Sequence, residues 1–350
     1  MRVKLRRRPR HVPLVAATAF ALLLLLAIPA VGAAADGGDA GGEPGIRDTI
    51  LPSSTTRALV AASATWGGVY TTSTGDRVRV FSSDSYPQDD RNQQWAEFLS
   101  QLLHGGELST VTLVLSPYNE VQRICGRSAV ACYGNNTIYA SADQVEPGIS
   151  PQSVVAHEYG HHVAASRSNT PWEAVDWGTK RWASYENICA GAHAGQLFPG
   201  DERGAYQLNP GEAFAEAYRV LNERRLGMTE SPWTIVDQRF YPDATALTDV
   251  EQDVVSPWTR PTTLSFSGRV VKRAVRTLAV ATTLDGQMTA IVRTSAARVR
   301  AELVVGGRVV SAGTGRAVTL STTVCGSRSA TVRVRNAAKA TRYTVSVARP

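Results

Sequence analysis

Two histidines in this 350-residue chain stand one helical turn apart, in His157-Glu158-Tyr159-Gly160-His161. At a spacing of four, both imidazoles leave the same side of a helix and can hold one metal ion. Glu158 lies about 100° round the axis from His157. A carboxylate there reaches a water at the metal without taking a coordination position. With Ala165, these residues share one arc, which is expected to face the protein interior. His162 points away from that arc and is expected at the surface or supporting the site from behind. A catalytic metal of this kind needs a third protein ligand and leaves its fourth position to water. Glu212 is the candidate, with His193, Asp176 and Glu186 as rivals. A plainer reading of Glu212 exists. Asn209 three residues before it makes a capping box, and Glu212, Glu216, Arg219 and Glu223 lie opposite the apolar Phe214, Ala217, Tyr218 and Leu221, as a solvated face would.

His-Glu-x-x-His resembles the signature of the zincin metallopeptidases. The metzincin pattern would place Gly at 164 and His at 167, where this chain has Ala164 and Arg167. The subclass with an Asp ligand wants that Asp soon after Gly-Thr, but Gly178-Thr179 is followed by Lys180-Arg181-Trp182. With Asn209-Pro210-Gly211-Glu212-Ala213-Phe214-Ala215-Glu216 the chain resembles the gluzincin, thermolysin-like subclass. The Pro210-Gly211 insertion and a Glu rather than an Asp at 216 depart from the usual pattern. The resemblance implies a Zn2+ cofactor held by His157, His161 and Glu212, with Glu216 orienting His157. It also implies Glu158 as the base that activates water for peptide-bond hydrolysis. The family supports the oxyanion with a Tyr or His. Tyr206 is the expected donor here, and Tyr241 and His193 are alternatives. The expected activity is that of a secreted zinc-dependent endopeptidase, hydrolysing peptide or protein substrates. The alternatives are a non-catalytic cell-envelope-binding protein with a structural zinc, and a zinc amidase acting on peptidoglycan peptides.

Several elements must position these groups. Ser150-Pro151 opens the active-site helix, with Ser as N-cap and Pro in the first turn. Before it, alternation from Trp66 to Phe81 about a Ser73-Thr74-Gly75-Asp76 turn predicts a hairpin. Trp95, Phe98, Leu99, Leu102 and Leu103 predict a helix over 89–104. Short strands are expected over 111–115 and 136–141, the latter as a sheet edge able to pair with an extended substrate. Helical stretches are expected over 171–196 and from Asn209 to about 225. Strands first and helices after give an α+β class, a zincin-like catalytic domain with a small mixed sheet plus active-site helices. From 266 to 348, seven or eight alternating strands predict an all-β sandwich. Asp285-Gly286, paired turn glycines and Tyr343-x-x-x-Val347 make this tail resemble the bacterial pre-peptidase C-terminal domain.

The composition is globular, with 43% hydrophobic and 19% charged residues, which excludes disordered, collagen-like and coiled-coil classes. The net charge of +7 divides unevenly: +6 over residues 1–35, −12 over 36–260 and +13 over 261–350. The first stretch is a basic start, an apolar run and a small-residue tail, which reads as a signal peptide over 1–35. An uncleaved membrane anchor is the alternative. The resulting division is a leader (1–35), a flexible linker (36–55), a catalytic domain (56–260) and a tail (261–350). Export predicts a secreted or cell-envelope location and makes the four cysteines two disulfides. Cys125 with Cys132 closes a short loop. That leaves Cys189 with Cys325, a bond that would require the tail to lie on the catalytic domain's helices. The basic tail suits an anionic cell-wall polymer. With Phe266 and Tyr343 as its few aromatics, it lacks the stacking surface for nucleic acid.

Overall fold

Alternation about the Gly75 turn gives β1 (Thr65–Thr71) and β2 (Arg77–Ser83), an antiparallel pair. The chain then crosses through α1 (Arg91–Gln101) to β3 (Thr112–Leu115), parallel to β2. After α2 (Tyr118–Cys125) come β4 (Ala131–Gly134) and β5 (Thr137–Ala140). The five-stranded sheet has the order β1-β2-β3-β5-β4. Its two faces follow the period of two along each strand. Leu113, Leu115 and Ile138 join Val78, Val80, Trp95 and Leu99 in the main core. Val114 and Tyr139 turn to the other face, where Val121 and the Cys125–Cys132 disulfide cover them.

The edge strand is not the one expected over 136–141. Asn135 and Asn136 both take left-handed conformations, φ 48° and 62°, the two-residue turn that closes a tight hairpin. This hairpin folds β4 outside β5, so β5 is internal and β4 is the edge.

In the computed structural model described here, residues 47–51, 65–233, 237–336 and 338–350 are placed. The expected leader and the linker before Arg47 lie outside the described residues. Within the stretch read as linker, Arg47–Leu51 is paired with the sheet edge. Leu51 N–H donates to Tyr133 O (2.7 Å), Tyr133 N–H to Thr49 O (3.3 Å) and Val130 N–H to Arg47 O (2.7 Å).

The site lies on two helices, α3 (Pro151–Ala165) and, further on, α7 (Pro210–Leu226). The Ser150 hydroxyl accepts from Ser153 N–H, as the N-cap reading requires. Gly160 lets the two helices touch: a Cβ there would stand 2.8 Å from Ala215 Cα. The inward arc is wider than expected. Ser153 through Ala164 are all buried and Ala165 is exposed, because the sheet lies on one side of α3 and α7 on the other.

Between them, after a two-residue ladder of β6 (Ser168–Asn169) and β7 (Trp172–Glu173), the helical stretch expected over 171–196 breaks into three. These are α4 (Ala174–Trp177), α5 (Lys180–Tyr185) and α6 (Ile188–His193). The breaks fall at Gly178 and Asn187, both with positive φ. After α7, helix α8 (Ala244–Val255) starts on Asp243, whose carboxylate accepts from Thr245 and Ala246 N–H.

The tail holds β8 (Thr262–Val270), β9 (Val275–Ala279), β10 (Gly286–Thr294), β11 (Val299–Val305), β12 (Arg308–Gly315), β13 (Ala317–Val324), β14 (Ala330–Arg335) and β15 (Thr341–Arg349). They form two antiparallel sheets, β13-β10-β15-β8 and β12-β11-β14-β9, that enclose Met288, Ala290, Val292, Leu303, Val332 and Val345. The Cys189–Cys325 disulfide ties this sandwich to α6. Beside it, Asp285 N–H donates to Ser184 Oγ (2.9 Å), and Arg328 donates to Ser184 O and to Asp285 Oδ1 (2.9 Å). Among the described residues, no helix is long and apolar enough to cross a membrane.

Candidate metal centre

The helical spacing of four brings His157 Nε2 and His161 Nε2 to 3.3 Å of each other. Glu212, three residues into α7, faces them across the Gly160–Ala215 crossing. Its Oε2 lies 3.3 Å from His157 Nε2 and 3.4 Å from His161 Nε2. A fourth donor comes from the segment at the sheet edge: Asp48 Oδ2 lies 3.1 Å from His161 Nε2 and 3.7 Å from His157 Nε2. All four residues are buried, and their ligand atoms fall within 4.8 Å of one another.

These separations test the fit of a metal directly. Four donors at about 2.0–2.1 Å from one tetrahedral ion stand about 3.3–3.4 Å apart, close to the spacings seen. The electrostatics agree. Burial works against charge on His157, but Asp48, Glu212 and Glu216 push its pKa well above the ordinary imidazole value. His161 is raised likewise, against burial, by Glu212 and Asp48. Burial would lift the Asp48 carboxyl, but the two adjacent histidines hold it well below the usual range. A field that favours positive charge this strongly is the field a divalent cation needs. The buried Asp/His/His/Glu group is therefore able to bind a metal.

The capping-box reading of Glu212 does not describe its carboxylate. The Asn209 side chain does cap α7, accepting from Gly211 N–H at 3.0 Å. The return bond is absent, since Asn209 N–H donates to Tyr206 O. Glu212 Oε2 instead accepts from the Tyr206 hydroxyl at 2.9 Å. Nor is the polar face of α7 solvated. Glu212, Glu216, Arg219 and Glu223 are all at most 1% exposed. Arg219 bridges Glu216 (Nε to Oε2, 2.8 Å) and Glu223 (Nη1 to Oε2, 2.6 Å). Glu216 Oε1 lies 3.4 Å from His157 Nδ1, the ring nitrogen facing away from the donor set. A carboxylate on that side favours a proton on Nδ1 and so leaves Nε2 for a metal. The Pro210-Gly211 insertion has its own packing reason: a Cβ on Gly211 would meet Val175 O at 2.4 Å.

Glu158 is fully buried, and among the described residues neither carboxylate oxygen has a hydrogen-bond partner. Burial first, then the nearby Asp48 charge, pushes its pKa well above the ordinary value. Tyr206, in a short turn of 3-10 helix before α7, shares its hydroxyl between Glu212 Oε2 and Asp48 Oδ1. Burial and these two carboxylates raise its pKa strongly and keep it a proton donor.

His162 is not at the surface but behind the donor set, bonded to Tyr133, whose ring stacks on His161 at 6.4 Å. It is buried, with Nδ1 3.2 Å from Tyr133 Oη and Nε2 3.0 Å from Glu107 O. The rivals are elsewhere. His193 Nδ1 lies 3.3 Å from Cys325 Sγ, beside the disulfide, and Tyr241 is 43% exposed and bonded to Arg224. Asp176 packs against Gly200, and the Glu186 pKa is held high by burial, then by Asp243 and Asp249. Neither belongs to the four-residue group. Cys189, His193 and Cys325 also bring ligand-type atoms together, but the two sulfurs are bonded to each other.

Asp48 is the residue that sequence reasoning missed. Its only local signal is the β-prone Thr49-Ile50-Leu51 that follows it. Arg167, which stands where the metzincin pattern has a histidine, instead pairs with Glu107 (2.8 Å) and bonds to Asp253 O and Val254 O on α8.

No protein-family profile matches this chain, and no curated protein matches it. Among solved structures, it is similar over part of its length to a periplasmic inhibitor of g-type lysozyme from Aeromonas hydrophila. That match has 8% identity, covers 25% of this chain and 86% of that one, and has a TM-score of 0.22. The Yersinia pseudotuberculosis-derived mitogen matches at 12% identity over 26% of this chain and 87% of its own, with a TM-score of 0.20. At such TM-scores the likenesses carry no argument about fold or function.

Proposed function

We propose that the chain is an exported zinc-dependent peptidase whose residues 56–260 form a zincin-like catalytic domain. The observation that carries this reading is Glu158, a fully buried carboxylate with no hydrogen-bond partner among the described residues, next to His157 of the donor set. A site that only staples the fold has no use for such a group, whereas hydrolysis needs a base.

His157, His161 and Glu212 would hold a zinc ion, which would supply Lewis acidity toward water and a substrate carbonyl. Glu158 takes the proton of the attacking water and delivers it to the leaving amine. Tyr206 keeps its proton and offers a hydroxyl to the developing oxyanion. Glu216, locked by Arg219, holds His157 in place. A cleft of about 800 Å³ lined by Trp172, Trp177, Leu197, Phe198 and Glu202 adjoins the site and suits apolar side chains of a substrate. The two disulfides fit an oxidising, extracellular location. The basic tail is left to bind an anionic polymer of the cell wall.

A structural zinc is the second reading, favoured by Asp48, because four protein ligands mark a closed site. Metal content and casein hydrolysis of the purified protein test both readings, with Asp48→Ala measured alongside. One zinc per chain with hydrolysis that Glu158→Gln abolishes supports the peptidase. Stoichiometric zinc without hydrolysis in wild type and Asp48→Ala supports the structural site.

A further inference from the structure

Every other donor of the metal set sits on a buried helix, but Asp48 sits on a short extended segment. That segment lies as a peptide ligand would. It runs parallel to the edge strand β4, bridged at Ile50 and Tyr133, through three main-chain hydrogen bonds. Its other side is also held: Ile50 N–H donates to Glu202 Oε2 at 3.2 Å and Asp48 N–H to Tyr206 Oη at 3.4 Å. Along an extended chain, Asp48 and Ile50 point one way and Thr49 and Leu51 the other. Leu51 packs on the small core behind β4, while Asp48 enters the donor set. The walls of this groove are therefore the edge of β4 on one side and Glu202 with Tyr206 on the other, with the aromatic cleft opening beside Glu202. Adding a strand to an exposed edge is a general way to bind extended peptides.

We propose that Arg47–Leu51 occupies the substrate groove of its own chain, with Asp48 in the metal position that catalysis needs open, so that this segment and an extended peptide exclude each other. The proposal rests on the peptidase reading and adds its regulation and the line its substrate takes. A tethered occupant acts at about millimolar effective concentration. The intact chain is therefore a poor catalyst until the segment leaves, and weakening the segment raises activity rather than lowering it.

The test uses full-length protein loaded with cobalt(II) and titrated with acetohydroxamate, read by the visible absorption of the metal. Wild type is compared with Asp48→Ala, which removes the fourth donor. Leu51→Pro is the second variant; it deletes the N–H bonded to Tyr133 O and leaves every donor in place. The expected result is a hydroxamate Kd at least ten-fold lower in Asp48→Ala than in wild type, with Leu51→Pro shifted the same way, and a parallel rise in casein hydrolysis. Equal Kd values in all three proteins would overturn the proposal, as would loss of cobalt from Asp48→Ala. Shifted hydroxamate binding with no casein hydrolysis by any form supports occlusion of the metal and overturns the peptidase reading instead.

Discussion

Asp48 Oδ2 approaches His161 Nε2 to 3.1 Å, joining the start of the described chain to the helix at its centre. Asp48 is the one donor of the set that lies outside α3 and α7. Removing either ligand histidine therefore leaves a partial set that no longer matches a tetrahedron. Purified protein is expected to carry one zinc per chain, and His157→Ala and His161→Ala each to lose it, as measured by elemental analysis after dialysis. Full occupancy in both variants would contradict the assignment.

Glu158→Gln keeps the size of the side chain and touches no ligand. Zinc content and melting temperature should stay at the wild-type level, while hydrolysis falls by about 10²–10⁴-fold, the usual worth of a general base. Comparable rates in the two proteins, in the wild-type or Asp48→Ala background, would remove Glu158 from the chemistry.

Arg219 is fully buried between Glu216 and Glu223. Arg219→Ala leaves two carboxylates without their cation and should cost about 3–5 kcal/mol, read from urea unfolding. Loss of less than about 1 kcal/mol would mean that water reaches the pair and replaces the guanidinium.

Burial, then Asp243 and Asp249, raises the Glu186 pKa to about 7. The folded chain thus holds this proton more tightly than the unfolded chain does. The stability this gives is full below the ordinary carboxyl pKa and is lost as pH rises through about 7. Glu186→Gln mimics the neutral form at every pH. Its melting temperature relative to wild type should therefore be higher at pH 8 than at pH 5; a difference that does not change with pH would contradict the shift.

The two disulfides close loops of very different length, with sequence separations of 7 and 136. On chain-entropy grounds they are worth about 2.4 and about 5 kcal/mol. Cys189→Ser with Cys325→Ser should destabilise the chain more than Cys125→Ser with Cys132→Ser. A cut near residues 255–265 should release the tail fragment only after reduction; free fragments on a non-reducing gel would show that the bond had not formed.

His157, Glu158 and His161 were legible because their relationship is local, fixed by the 3.6-residue period of one capped helix. Glu212 was legible as a candidate, yet the same residues spelled a capping box and a solvated face. Periodicity reports which residues share a face, not what covers it. Here Arg219 neutralises Glu216 and Glu223, and so lets the polar face of α7 turn inward. The edge strand was misplaced because it hangs on the left-handed pair Asn135 and Asn136. Asp48 was invisible for a different reason. Its place depends on strand addition far from its own sequence neighbourhood, and no local pattern encodes that.

The order of strands in the sandwich bears on how the chain is made. Strand β8 follows directly from the helical half, yet its sheet partner is β15, the last strand in the sequence. A nascent chain emerging from its amino end must therefore hold β8 unpaired until nearly all of the remaining residues have followed. Such long-range pairing is slow to form, and Cys325, on the same late-emerging stretch, meets Cys189 only then. The tail thus closes as a late step of biogenesis, and a polypeptide interrupted before Thr341 would present an open strand edge instead of a finished sheet.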